Sequence, residues 1–196
     1  MKARAPERRI VLTGFMCAGK TTVARALAAR LGGRMLDTDA ALVEREGRSI
    51  EAILDEDGEP RFRQIERDAL RDVLERDRSR VVALGGGTWT IAENRALIAA
   101  HDCLTVWLDA PFELCWQRIA DPAGTARPLA RDRKRARELY DARRAAYELA
   151  AVRVEITEAR SAEDTAAEIA SIIEQRNFLD EHLDEHEERE GENTHG

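Results

Sequence analysis

The chain has 196 residues, of which 43% are hydrophobic and 35% charged, with a formal net charge of −7. This length supports one domain with a substantial core, or one domain and a tail, and excludes two full domains. No apolar run approaches the roughly 20 residues that span a bilayer, the basic start MKARAPERRI lacks the apolar segment of a secretory signal, and three cysteines without metal-ligand spacing argue against a disulfide framework or a structural zinc site.

The first predicted strand covers residues 9–14 and runs into GFMCAGKTT, residues 14–22, ahead of a helical pattern at 19–31. The loop fits G-x-x-x-x-G-K-[ST], a phosphate-binding pattern when a strand precedes it and a helix follows. Gly14 and Gly19 allow backbone angles that let successive N–H groups turn inward around phosphate oxygens, and the helix N-terminus adds partial positive charge there. Lys20 is one of only three lysines among 31 basic residues, so it is not part of the arginine background. A flexible ammonium follows the β- and γ-phosphates where a guanidinium would impose its own fork. Gly14, Cys17, Ala18, Gly19, Lys20, Thr21 and Thr22 are the candidate nucleotide contacts, with the Thr21 hydroxyl suited to Mg²⁺.

A second strand at 34–37 leads into Asp37-Thr38-Asp39. If this stretch is extended, both carboxylates project to one side, one suited to magnesium through water and the other to a hydroxyl. Helical patterns follow at 40–46, 49–56 and 60–76, then a strand at 80–84 ending in Gly85-Gly86-Gly87, where bare backbone admits a ligand or simply turns the chain. Next come a helix at 91–100, a strand at 103–109, helices at 111–120 and 132–150, a strand at 152–156 and a helix at 162–176 opened by Ser161 with Asp164 three positions on. The alternation predicts an α/β fold, a parallel sheet covered by helices on both faces, with ligands beyond the carboxyl ends of the strands.

Two charged segments stand out. Residues 127–137, RPLARDRKRAR, carry six bases and one acid without an aromatic residue, which fits a cationic flap over a nucleotide better than a nucleic-acid surface. Residues 178–196 hold eight acids and one arginine, so the remaining body is formally neutral. So acidic a stretch, with little apolar content, predicts an unstructured tail beyond a single domain at 1–177.

With these motifs in place the chain resembles the shikimate kinases. The resemblance rests on GFMCAGKTT, on LDTDAALVEREGRSIEAILDEDGEPRFRQIE (36–66), on GGG, on RPL (127–129) and on ARRAAY (142–147), and covers roughly residues 9–175. Cys17, where the family usually has a small residue, and Ala130, where leucine is common, depart from its pattern. The resemblance implies a nucleoside monophosphate kinase fold, a three-layer structure with five parallel strands in the order 2-3-1-4-5 and a lid at about 121–135. It implies ATP and Mg²⁺ as cofactors, phosphorylation of the 3-hydroxyl of shikimate, and a cytoplasmic monomer with no nucleic-acid or membrane partner.

By position, the resemblance assigns Arg63 and Arg144 to the substrate carboxylate and Asp39 to the reacting hydroxyl. Gly85, Gly86 and Gly87 would offer backbone contacts, Thr21 and Asp37 would organise magnesium, and Arg127 would reach the transferring phosphate beside Lys20. These residue types suit a carboxylated polyol and a triphosphate: planar guanidinium forks match carboxylates, and several cationic donors match phosphates. Gluconate is also a carboxylated polyol, so a gluconate kinase is an alternative. A non-enzymatic nucleotide switch is another, although Asp55-Glu56-Asp57-Gly58 follows a helix rather than a strand and no N-K-x-D motif occurs.

Overall fold

The computed structural model describes residues 8–121, 128–130 and 132–192. Five parallel strands form one sheet in the order β2-β3-β1-β4-β5: β1 Ile10–Thr13, β2 Met35–Asp37, β3 Val81–Ala83, β4 Leu104–Asp109 and β5 Val152–Glu155. Ile10, Val11 and Leu12 are fully buried, as the continuous apolar run of a central strand requires. At the edge, β5 alternates buried valines with exposed Arg153 and Glu155.

The helices are α1 Lys20–Arg30, α2 Thr38–Glu46, α3 Ile50–Arg76, α4 Ala92–Ala100, α5 Phe112–Ile119, α6 Arg133–Tyr147 and α7 Ala162–Glu192. The connection from β1 through α1 leads to β2 on one side of the sheet, whereas β3 through α4 leads to β4 on the other. Because such crossovers are right-handed, this reversal places α1 and α4 on opposite faces and opens a crevice between the ends of β1 and β3. The loops that carry GFMCAGKTT and GGG are the two that flank it. From the far edge, α7 returns to pack on α1.

The two helical patterns at 49–56 and 60–76 form one element with a break. Gly58 has φ 78° and ψ 165°, outside helical geometry and in a region that side chains disfavour. Pro60 suits the restart, because its missing N–H falls where a first turn has no acceptor. At the other end, Arg9 donates to the carbonyls of Val73 (3.1 Å), Leu74 (3.0 Å) and Asp77, closing the C-terminus of α3 against the start of β1.

Most buried side chains form one core around the sheet. A separate small cluster of Leu42, Ile53, Phe62, Ile65 and Ala69 lies between α2 and α3. The composition of residues 178–196 predicts an unstructured tail, but the backbone of α7 continues through Glu192. Residues 178–190 contain no glycine or proline and are rich in helix-favouring glutamate.

Truncating Leu12 to alanine leaves a cavity at the centre of the sheet and should cost about 2–5 kcal/mol in urea unfolding. Val43→Ala, at a position 37% exposed, should cost much less. Equal losses would contradict this placement of the core.

Candidate active site

The phosphate loop leaves β1 under tight steric control. Gly14 has φ 140°, and a Cβ there would stand 2.6 Å from the Leu108 carbonyl oxygen of β4. Gly19, at φ 99°, precedes α1 and, having no side chain, supplies no cap to its first turn. Such a terminus favours an anion. Cys17 also adopts a positive φ of 59°, a conformation that costs a non-glycine residue roughly 1–2 kcal/mol. Its carbonyl accepts a hydrogen bond from Arg118 Nη1 at 2.9 Å, which ties the loop to α5. Lys20 arches back over the loop, donating to the Gly14 and Phe15 carbonyls at 3.0 and 2.9 Å.

Beside it, the Thr21 hydroxyl donates to Asp37 Oδ2 at 2.5 Å. The other Asp37 oxygen accepts from the backbone N–H groups of Asp39 (2.9 Å) and Ala40 (3.3 Å) and so caps α2. Here the structure corrects the extended reading of Asp37-Thr38-Asp39. The strand ends at Asp37 and the helix starts at Thr38, so the two carboxylates diverge: Asp37 turns to Thr21 and Asp39 to the loop after β3. A carboxylate against a threonine hydroxyl at the foot of a phosphate loop fits Mg²⁺, which takes one or two carboxylates together with phosphate oxygens and water.

Gly85, Gly86 and Gly87 are needed for room, since none of them has a positive φ. A Cβ on Gly85 would lie 2.4 Å from Asp39 Oδ1, one on Gly86 would lie 3.2 Å from the Met16 nitrogen, and one on Gly87 would lie 2.7 Å from Arg63 Nη1. Their missing side chains let Asp39, the phosphate loop and Arg63 close in on one strand end.

Arg63 stands just beyond the Gly58 break, its guanidinium 5.0 Å from the centre of the Phe62 ring. Nη1 donates to Glu66 at 2.9 Å and Nη2 to Glu59 at 3.0 Å. Burial disfavours its charge, yet Glu66 and Glu59 outweigh that and hold its pKa above the ordinary arginine value. Glu66 is itself buried and accepts from the Thr88 hydroxyl at 2.7 Å.

The second carboxylate-binding arginine is the main correction. Arg144 does not line the cleft. Its guanidinium forms a two-pronged pair with Asp109, at 2.9 and 3.1 Å, bonds the Tyr140 hydroxyl at 3.0 Å and lies over Trp107. Hydrogen bonding to Asp109 is the main reason its pKa lies above the usual arginine value. The neighbouring Arg143 is buried, lines the cleft and donates to the Gly86 carbonyl at 3.3 Å. Adjacent helical residues point about 100° apart, so only one of the two can face the site. Tyr147, four positions from Arg143, shares that face and donates to the same carbonyl at 2.5 Å. Burial pushes the Tyr147 phenol up to about 12, so it remains a donor at neutral pH.

Lys20, Thr21, Asp37, Asp39, Arg63 and Arg143 line a single cleft of about 880 Å³, together with Cys17, Ala18, Gly19, Thr22, Gly86 and Gly87. This volume is at the large end for small-molecule sites. Arg118 and Arg160, which motif reading assigns no role, line it as well. Arg127 lies outside the described residues, as do the other lid positions 122–126 and Arg131.

Comparison with known proteins agrees with this geometry. The family model for shikimate kinase matches residues 16–174. A shikimate kinase of Geobacter metallireducens is 39% identical over 179 residues, covering 90% of this chain and 97% of the relative. One of Salinibacter ruber is 42% identical over 152 residues, covering 72% and 74%. Among solved structures, the shikimate kinase from Acinetobacter baumannii in complex with shikimate superposes with a TM-score of 0.78 at 34% identity, covering 86% of this chain and 94% of that one. A gluconokinase from Sinorhizobium meliloti, at 16% identity and TM-score 0.59, shares the fold alone. A match across most of the chain, joined to the arginine-flanked cleft beside the phosphate loop, places this protein in the shikimate kinase family.

Proposed function

We propose that the protein transfers the γ-phosphoryl group of ATP to the 3-hydroxyl of shikimate, giving shikimate 3-phosphate and ADP. The observation that carries this reading is the convergence of Arg63 and Arg143 on the Gly86-Gly87 backbone, in the same cleft as Lys20 and Asp39. Two guanidinium groups suit the planar carboxylate of an organic acid, and Asp39 suits the hydroxyl to be phosphorylated.

In this reading the first-turn N–H groups of α1 and Lys20 hold the β- and γ-phosphates. Thr21 and Asp37 would hold Mg²⁺, which would supply positive charge to offset that of the phosphates. Arg63 and Arg143 seize the acceptor by its carboxylate and so aim its ring hydroxyl at the phosphate loop. Asp39 orients that hydroxyl and receives its proton. Transfer itself then needs mainly alignment and charge stabilisation, to which Arg127 in the lid contributes a further cation. Arg118 and Arg160 flank the nucleotide end of the cleft. The same reading makes the protein a cytoplasmic monomer acting on a small molecule, without nucleic-acid or membrane partners. No helix among the described residues is long and apolar enough to cross a membrane.

An ADP-release assay with shikimate, gluconate or AMP as the only acceptor tests the proposal. Shikimate alone should support turnover, and preference for gluconate would overturn the assignment. Arg143→Ala should lower kcat/KM for shikimate by about 2–5 kcal/mol in activation free energy, the usual penalty for breaking a desolvated charge pair. Arg144→Ala should act chiefly on urea stability, through loss of the two-pronged bond to Asp109, which keeps Arg153 at 2.7 Å as a partner. A larger KM effect from Arg144 at undiminished stability would reverse the roles given to the two arginines. Gly87→Ala should raise the KM for shikimate more than that for ATP, because the new methyl group displaces Arg63.

A further inference from the structure

The two carboxylates on Arg63 differ in kind. The Glu66 side chain is only 4% exposed and is anchored a second time by Thr88, so it is a permanent brace on Nη1. The Glu59 side chain is 55% exposed and holds Nη2 from the rim, directly after the Gly58 break in α3. It does not line the cleft, although Arg63 and Glu66 do.

Charge makes this arrangement unfavourable for an incoming organic anion. With both glutamates in place, Arg63 and Arg143 already face two carboxylates, and a substrate carboxylate would make three anions against two cations. If Glu59 swings out to water, the balance changes. Arg63 and Arg143 then face Glu66 and the substrate carboxylate, two cations against two anions. Exposure makes that release inexpensive, because an exposed ion pair contributes little and its glutamate is readily resolvated.

From this we infer that Glu59 is an internal competitor for the acceptor's carboxylate: it occupies Nη2 of Arg63 and is displaced when the organic acid binds. The inference rests on the assignment of Arg63 to acceptor binding. Its chemical consequence is selectivity by charge. A neutral polyol cannot take Nη2 from a carboxylate, whereas an anionic one replaces like with like.

The test compares the full-length protein with Glu59→Gln and Glu59→Asp, using steady-state kinetics and calorimetric titration of shikimate without nucleotide. Glutamine keeps the shape and removes the charge. Glu59→Gln should lower both the KM and the Kd for shikimate about two- to five-fold, the range an exposed pair commands, with kcat changing less than KM. The gap from the parent should narrow as salt rises, since exposed charges are screened. Glu59→Asp, with a shorter reach, should fall between the two. Unchanged or weaker shikimate binding in Glu59→Gln would mean that Glu59 merely braces Arg63, and would overturn the competitor role. Failure of the parent protein to turn over shikimate would instead overturn the functional reading beneath it.

Discussion

The site depends on how closely the chain passes its own neighbours at the carboxyl ends of β1 and β3. At Gly14 the turning loop lies so near the Leu108 carbonyl of β4 that a Cβ would sit 2.6 Å from it. That contact fixes where the loop begins, and hence where α1 points. The helix then starts at Lys20, so the lysine and the first-turn N–H groups share one spot. Opposite, the three glycines after β3 leave space that Asp39, Arg63 and the phosphate loop fill. Absent side chains on two strand ends therefore bring the cationic and acidic groups to a common centre.

Interactions behind the cleft keep this convergence rigid. Gly86 offers its carbonyl to both Arg143 and Tyr147, while Trp89 Nε1 donates to the Ala146 carbonyl at 2.8 Å. The last turns of α6 are thus stitched to the loop after β3. On the neighbouring face, Arg144 binds Asp109 at the end of β4, and Arg153 of β5 adds a second contact at 2.7 Å. The two adjacent arginines divide the work, one facing the cleft and the other anchoring the helix that presents it.

Much of this was legible in the sequence. The strand-loop-helix around Lys20 and the alternation of short apolar runs with helical patterns suffice for a parallel α/β sheet, and all five strands fall within one residue of their expected bounds. The family pattern singles out Asp39, Arg63 and the glycine run, which the structure brings together. What escaped depends on angles finer than spacing. A helix that starts at Thr38, two residues before the expected position 40, sends Asp37 and Asp39 in different directions, and one residue's difference on α6 separates a cleft-facing arginine from an anchoring one. The Arg143-x-x-x-Tyr147 spacing, an arginine and an aromatic on one helical face, carried the missing signal. The buried role of Glu66 was hidden because a glutamate beside an arginine usually marks a solvated surface.

The small cluster of Leu42, Ile53, Phe62, Ile65 and Ala69 stands apart from the main core. Helices α2 and α3 carry Asp39 and Arg63, and so rest in part on a foundation of their own. Substitutions that reshape this patch should therefore act first on where Asp39 and Arg63 stand, and less on Phe15 and Ala18 of the phosphate loop, which belong to the main core.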